Sequence, residues 1–154
     1  MQSKKIVVRV LIFVGGAALW LFLKDDLWET NEDLLKEEVL SIDPSVETIT
    51  LLDVTPFQWD EAYSFRPYTP KDVIYETIGY KWDIIAEALY DEMGQVVFLK
   101  DGKVVCYLYG LPQNNGYSLS FSSGNSTEGG FMLDANDDLN FQVERKDQII
   151  YLKN

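Results

Sequence analysis

The chain has 154 residues and a net charge of −12, with one cysteine and no histidine. The lack of histidine removes the commonest general base and the commonest transition-metal ligand, and a single cysteine excludes an internal disulfide and a multi-cysteine metal site. Because negative charge repels phosphate backbones and anionic headgroups, we expect no nucleic-acid partner and no peripheral docking on lipid.

The first predicted element is an apolar segment, Ile6 to Leu23, interrupted only by Arg9. As a helix it would extend roughly 27 Å, close to the thickness of the hydrocarbon core of a bilayer. Basic residues lie before or early in the segment and acidic residues follow it, which favours a cytoplasmic N-terminus. We therefore predict a single-pass protein of the cell membrane, anchored through residues 6–23, with the following domain extracytoplasmic.

The alternative for this segment is a cleaved signal peptide, because Gly15 to Ala18 supplies the small residues found at cleavage sites. Cleavage after Ala18 would leave the apolar run Leu19 to Leu23 on the mature end, so an uncleaved anchor accounts for the segment better. All 25 acidic residues and ten of the 13 basic ones follow the anchor, which gives the outer part a net charge of −15. Such a surface favours solubility, or a basic partner.

The domain organisation follows from this anchor. Residues 1–24 form a cytoplasmic tip and transmembrane anchor, residues 25–44 a helical stalk, and residues 45–154 an extracytoplasmic α+β domain. The stalk is predicted from apolar residues at helical spacing between Leu27 and Ile42. Its many charges predict a solvated helix that docks one apolar stripe on the domain.

Two strands and two helices are predicted in the first half of the domain. Val46 to Asp53 alternates as a strand does. Between Phe57 and Phe65 the odd positions are mostly aromatic, which predicts a strand with one aromatic face, although a helical turn competes for its first half. Helix signals then cover Thr69 to Gly79 and Asp83 to Gly94.

The clearest signal is a β-hairpin in which two apolar runs flank the two-residue turn Asp101-Gly102. Both runs are apolar on both faces, which predicts central strands and a buried thiol at Cys106. A later strand is predicted at Tyr117 to Ser122, and Phe131 to Asp134 and Leu139 to Glu144 are predicted to be the two arms of a hairpin. A last strand, Gln148 to Lys153, is predicted after a turn at Arg145-Lys146-Asp147. The predicted fold class is α+β: an N-terminal transmembrane helix, then a few short helices packed on an antiparallel sheet of about four to six strands.

Three stretches between residues 49 and 110 carry a resemblance to known proteins. They are Trp59-Asp60 with Tyr63, Phe65 and Pro67-Tyr68-Thr69; Gly79-Tyr80-Lys81-Trp82; and the hairpin from Lys100 to Val105. They are similar to those of small uncharacterised bacterial envelope proteins that carry a lipid or helix anchor. The resemblance implies an extracytoplasmic location, and because that group has no assigned activity it implies no catalytic residues.

The candidate site consists of polar residues set among the aromatics of the first stretch, namely Asp60, Tyr63, Arg66 and Tyr68. In one interpretation they form a groove in which tyrosine hydroxyls and an Arg–Asp pair bind a peptide or glycan. In the other, the stretch is a helix–sheet core, because aromatic stripes at regular spacing usually mark packing. We expect Trp59 and Phe65 in the core and Arg66 and Tyr68 at the surface.

Sequence motifs for catalysis are missing: there is no nucleophile elbow, phosphate-binding loop or metal cluster. We therefore predict a non-catalytic binding or accessory module of the bacterial cell envelope, with no cofactor. One alternative is an immunity or inhibitor protein against an extracytoplasmic toxin or hydrolase, because the negative charge would attract a basic partner. The other is a carboxylate-based envelope hydrolase, for which the sequence shows no spaced acid pair.

Overall fold

A computed structural model describes residues 26–154 of the chain. The predicted transmembrane segment, residues 6–23, lies outside the described residues, as does the alternative cleavage site at Ala18. Within the described range, no helix has the length and apolar character that a membrane crossing needs.

Four helices and nine strands form in this range. The helices are α1 (Leu27–Leu40), α2 (Leu51–Val54), α3 (Lys71–Ile78) and α4 (Pro112–Asn115). The strands are β1 (Thr48–Thr50), β2 (Glu61–Phe65), β3 (Gly94–Lys100), β4 (Lys103–Gly110), β5 (Tyr117–Ser120), β6 (Asn125–Ser126), β7 (Gly130–Asp134), β8 (Asn140–Lys146) and β9 (Ile149–Lys153).

The strands form two sheets, where the sequence predicted one. The four-stranded sheet has the order β1-β8-β9-β5, and the five-stranded sheet has the order β4-β3-β2-β7-β6. Every strand pair is antiparallel except β5 with β9, which is parallel. The predicted α+β class is confirmed for the described residues, and the predicted number of sheets is wrong.

The main core lies between the two sheets and is closed along one side by α1. Leu35 and Val39 of α1 are fully buried there, with Phe98, Tyr117 and Phe141 from the strands. Leu35 and Val39 are four residues apart, so they share one face of the helix. The helix predicted as a stalk therefore supplies part of the core of the domain.

Helix α1 also covers the edge of β4. The side-chain amide of Asn31, one turn before Leu35, donates a hydrogen bond of 2.8 Å to the carbonyl oxygen of Val105. Asn31 is 5% exposed, so this bond satisfies a buried polar group while it shields an edge strand.

A second core lies on the other face of the five-stranded sheet. Val97, Leu99 and Tyr107 project from that face, and Ile74 and Ile78 of α3 cover them. The start of α3 after Thr69-Pro70 and its end at Gly79 agree with the sequence, and Gly79 adopts the left-handed conformation (φ +86°) that ends many helices.

The predicted aromatic face of the Phe57 to Phe65 stretch is divided between the two cores. Tyr63 and Phe65 lie in the second core, whereas Trp59 lies in the main core with its ring 5.3 Å from that of Phe98. The reason is that β2 begins only at Glu61, so the chain before it is irregular and the alternation does not extend to Trp59.

Two hairpin turns have two residues each. The first lies where the sequence predicts it, whereas the second was predicted at residues 145–147 and lies at Asp147 and Gln148, because β8 extends to Lys146. Asp101 and Gly102 join β3 to β4 with φ values of +49° and +70°, and Asp147 and Gln148 join β8 to β9 with φ values of +53° and +64°. Positive φ at both positions is typical of the turn that matches the twist of antiparallel strands. The β3–β4 pairing also contains a β-bulge between Phe98 and Leu99.

Three other local predictions are wrong. The strand predicted from Val46 to Asp53 ends at Thr50, where α2 begins. The helix predicted from Asp83 to Gly94 does not form, and that segment is irregular. The stretches Phe131 to Asp134 and Leu139 to Glu144 are not two arms of one hairpin, because β7 pairs with β2 and β6 whereas β8 pairs with β1 and β9 in the other sheet.

Candidate functional site

Strand β2 separates the predicted site residues into different environments. Asp60 directly precedes the strand, and Arg66 directly follows it. A five-residue strand spans roughly 17 Å, so the structure does not bring these two side chains together as an ion pair. Only Arg66 and Tyr68 lie at the same end of β2.

Asp60 holds the β3–β4 hairpin turn. Its carboxylate contacts the ammonium group of Lys100 at 2.6 Å and accepts a hydrogen bond of 2.7 Å from the backbone amide of Asp101. The hydrogen bond from Lys100 and then that from the Asp101 amide lower the pKa of the Asp60 carboxyl group. These contacts give Asp60 a structural partner at the hairpin, away from Arg66.

Tyr63 is a core residue, 8% exposed and stacked on Phe65 with 6.1 Å between ring centroids. Its hydroxyl group donates a hydrogen bond of 3.0 Å to a carboxylate oxygen of Glu61. Burial first, and then the hydrogen bond and charge of Glu61, raise the pKa of Tyr63 to about 12. This environment agrees with the core interpretation for Tyr63.

The turn that follows β2 places Arg66 and Tyr68 at the surface, as expected. The carbonyl oxygen of Arg66 accepts hydrogen bonds from the backbone amide of Thr69 (3.2 Å) and from its hydroxyl group (2.7 Å). Pro67 and Tyr68 are the two central residues of this turn. Proline followed by a residue of positive φ is the pattern of a type II turn, whose third position normally requires glycine.

Tyr68 occupies that third position with a φ of +65°. Apart from glycines, only three other described residues have positive φ, namely Asp101, Asp147 and Gln148, and all three are in the hairpin turns. A left-handed backbone costs an ordinary residue about 1–2 kcal/mol. Tyr68 is also 58% exposed, so burial of its ring does not offset this cost.

The irregular segment 83–93 is held in place by hydrogen bonds from the five-stranded sheet. The side-chain amide of Gln95 donates to the carbonyl oxygen of Ala86 at 2.7 Å, and the hydroxyl group of Tyr109 donates to that of Glu87 at 2.9 Å. The amide of Ala86 also donates to the hydroxyl group of Tyr107 at 3.2 Å. These bonds take the place of a helical ladder and fix the path of the segment.

Beside the turn and this segment lies an open cleft of about 780 Å³. Its floor is the outward face of the four-stranded sheet, where Ser118 and Ser120 of β5 alternate with the buried Tyr117 and Leu119. Tyr151 of β9 adds an aromatic ring to this floor. Alternation along β5 therefore turns a row of hydroxyl groups toward the cleft.

The wall of the cleft comes from the end of β2 and from the residues before β3. Arg66 and Phe131 meet there, with the guanidinium carbon 5.4 Å from the centre of the ring. Charges of both signs line the cleft: three basic residues, Arg66, Lys146 and Lys153, and four acidic residues, Asp91, Glu92, Glu144 and Asp147. Glu144 and Lys153 form an ion pair with each other.

Residues 26–154 give no support for metal binding or for catalysis by a cysteine nucleophile. No group of three or more acidic, histidine or cysteine side chains in that range is arranged to hold a metal ion. Cys106 is fully buried, as expected, and burial raises the pKa of its thiol, which disfavours the nucleophilic thiolate.

Comparison with protein-family models, with curated protein sequences and with solved structures finds no match to this chain. The resemblance to small envelope proteins therefore stays a prediction. The candidate site rests on the geometry of the cleft and of the turn at Tyr68.

Several residues at this site were not singled out from the sequence. Ser118 and Ser120 lie in the predicted strand Tyr117 to Ser122 and have no feature that marks a binding site. Leu89 and Tyr90 lie in the segment that was predicted to be a helix. The only sequence signal for the turn was Pro67, which is favoured at the second position of a type II turn. Positive φ at Tyr68 has no counterpart in the sequence, because tyrosine rarely adopts it.

Proposed function

We propose that this protein is a non-catalytic binding module of the bacterial cell envelope, anchored in the membrane through residues 6–23 with its domain outside the cytoplasm. The anchor is inferred from the apolar segment and its charged flanks. The observation that carries the binding function is the cleft at the end of β2, which has the size and the mixture of polar and aromatic side chains common in ligand sites.

The ligand that fits this cleft best is a peptide segment. Arg66 and Lys146 offer partners for carboxylate groups, and Asp91, Glu92 and Asp147 offer partners for ammonium groups. Hydroxyl groups of Ser118 and Ser120 can bond to a peptide backbone, and Phe131 and Tyr151 can pack on its side chains. A neutral glycan would offer no group of opposite charge to Arg66, Lys146, Asp91 and Asp147 of the cleft.

A titration followed by NMR tests this function on the detergent-solubilised full chain. A mixture of tripeptides to pentapeptides is one probe, and the neutral oligosaccharide chitotetraose is the other. We expect the peptides to shift the amide signals of Ser118, Ser120 and Arg66 in a saturable way, and chitotetraose to leave them unchanged. Recovery of the peptides intact is expected; their cleavage would instead favour a hydrolase.

Two substitutions to tryptophan control the position of binding. Ser120→Trp adds a large ring to the floor of the cleft, and Thr48→Trp adds the same ring to the exposed end of β1 at the opposite edge of the same sheet. Loss of peptide binding in Ser120→Trp alone supports the proposal. Equal binding in both variants, or no peptide-induced shift at the cleft, would contradict it.

A further inference from the structure

Three large hydrophobic side chains lie exposed next to each other beside the cleft. Tyr68, Leu89 and Tyr90 are 58%, 59% and 63% exposed, respectively. The backbone amide of Tyr68 donates a hydrogen bond of 2.7 Å to the carbonyl oxygen of Ala88, the residue before Leu89. We call these three residues the Tyr68 surface. A single exposed hydrophobic residue is ordinary, whereas a contiguous group of this kind marks an interaction site.

The exposure of this surface is built into the fold. Ile85 and Ala88, in the same segment as Leu89 and Tyr90, are 1% and 0% exposed, and the segment is bonded to β3 and β4 through Gln95 and Tyr109. The backbone is thus held at Ala86 and Glu87, and the side chain of Ala88 is buried, whereas the side chains of Leu89 and Tyr90 are exposed. The third residue of the surface, Tyr68, carries a large ring at a turn position that normally suits glycine.

The charge around the Tyr68 surface is negative. Segment 83–93 contains Asp83, Glu87, Asp91 and Glu92 and no basic residue. Two basic residues lie on neighbouring elements: Arg66, whose guanidinium group lies over the ring of Phe131, and Lys71, whose backbone amide donates a hydrogen bond to the carboxylate of Glu87. A partner that complements this surface has an apolar anchor surrounded by lysine or arginine.

We propose that the Tyr68 surface docks a cationic protein, which places an apolar side chain between Tyr68, Leu89 and Tyr90 and sets basic residues against the acidic rim. Tyrosine and leucine supply apolar contact area, and the tyrosine hydroxyl groups offer hydrogen bonds at its edge. The acidic rim shares Asp91 and Glu92 with the cleft, but the apolar anchor formed by Tyr68, Leu89 and Tyr90 lies outside the cleft lining. The proposal therefore does not require the cleft to bind a peptide.

A random library of 12-residue peptides displayed on phage tests this proposal. The library is selected on the immobilised full chain and counter-selected on the Leu89→Ser/Tyr90→Ser double variant. Enriched peptides are expected to carry lysine or arginine next to an aromatic or aliphatic residue. Synthetic copies should bind the double variant at least tenfold more weakly and should lose affinity for the wild type as salt is raised.

Three further variants make the outcome decisive. Leu52→Ser removes an equally exposed leucine from α2 and should leave binding unchanged, as should Ser120→Trp in the cleft. Asp91→Asn/Glu92→Gln should weaken binding and reduce its dependence on salt. A melting curve like that of the wild type will show that the double variant is folded. Enrichment of neutral or acidic peptides, or of none, or equal binding by the double variant, would overturn the proposal.

Discussion

The backbone amide of Tyr68 donates a hydrogen bond of 2.7 Å to the carbonyl oxygen of Ala88. This bond joins the turn after β2 to the irregular segment that precedes β3, and the two bonded residues are 20 positions apart in the sequence. It explains how an exposed tyrosine keeps a left-handed backbone: the turn is bonded to Ala88 on one side and, through the backbone amide of Arg66, to the carbonyl oxygen of Gly129 (2.9 Å) on the other. Strain of this kind persists where the surrounding structure imposes it, and it clusters at functional sites.

Truncation of Trp59 should unfold much of the protein. Trp59 is 5% exposed, packs edge-on against Phe98 and donates a hydrogen bond of 3.0 Å to the hydroxyl group of Thr55. We expect Trp59→Ala to lower the free energy of unfolding by about 3–5 kcal/mol, measured by urea denaturation. Leu52→Ala, at a 51% exposed position, is the control and should change it by about 0.5 kcal/mol or less. A wild-type urea midpoint for Trp59→Ala would place this ring outside the core.

The ion pair of Asp60 and Lys100 should make stability depend on pH. The folded-state pKa of Asp60 is lowered, so the stabilisation from its charge is present above the unfolded-state pKa of about 3.9 and is lost as the pH falls through the folded-state pKa. The pKa of Lys100 is raised by its hydrogen bond to Asp60, so its share is lost only as the pH rises through that raised pKa, above about 10.4.

The variant Asp60→Asn provides the measurement. Its melting temperature should lie below that of the wild type at pH 7, and the difference should shrink as the pH is lowered from about 4 to 2. Asp138→Asn is the control: Asp138 lies in an exposed loop, and within residues 26–154 its carboxylate accepts hydrogen bonds only from Asn140. A difference that stays constant over this range would show that the charge of Asp60 does not stabilise the fold.

Cys106 should resist alkylation in the folded protein. The residue is fully buried in the main core, and burial raises the pKa of its thiol, so both access and ionisation are unfavourable. Labelling by iodoacetamide at pH 8 can be measured by mass spectrometry. We expect its rate to be roughly 100-fold lower in buffer than in 6 M guanidinium chloride. Similar rates in the two solutions would contradict the burial of Cys106.

The proposed anchor predicts how the protein fractionates. If residues 6–23 span the membrane, the full chain should extract with detergent and stay in the pellet with carbonate or high salt. A reporter that is active only outside the cytoplasm, fused after Asn154, should be active. Recovery of a soluble product that begins near Leu19 would show cleavage instead, and activity of a cytoplasmic reporter alone would reverse the orientation.

Local patterns predicted the parts of the fold that local interactions determine. The turn at Asp101-Gly102 suits a two-residue hairpin loop, and Gly79 ends α3, so these features agree with the structure. Thr69-Pro70 predicted the start of α3 to within one residue, but Pro70 is the N-cap and the Thr69 hydroxyl group bonds to the carbonyl oxygen of Arg66 and does not cap the helix. Pairings between distant strands were not predictable in this way. The parallel pairing of β5 with β9, for example, depends on long-range packing that no local pattern records.

The candidate site was only partly predictable for the same reason. The position of Arg66-Pro67-Tyr68 between a strand and a helix correctly predicted that Arg66 and Tyr68 are exposed. The segment from Ile84 to Leu89 has helical spacing but forms hydrogen bonds with the side chains of Gln95, Tyr107 and Tyr109 on β3 and β4 in place of a helix. Leu89 and Tyr90 therefore joined Tyr68 at a surface that the sequence did not reveal.

The most direct test of a functional role for Tyr68 is to replace it by the residue that its turn favours. Tyr68→Gly relieves the left-handed strain and, after the greater chain entropy of glycine is deducted, should stabilise the fold by about 0.5–1 kcal/mol. Gln148→Gly, at the positive-φ second position of the β8–β9 turn, is the matched control and should stabilise the fold similarly.

The decisive measurement pairs thermal melting with binding of the lysine- and arginine-containing peptides selected on the Tyr68 surface. We predict that Tyr68→Gly melts above the wild type and binds these peptides at least tenfold more weakly, whereas Gln148→Gly melts above the wild type and binds as the wild type does. A Tyr68→Gly variant that melts lower would show that the tyrosine stabilises the turn. A variant with unchanged binding would show that its ring does not contact the partner.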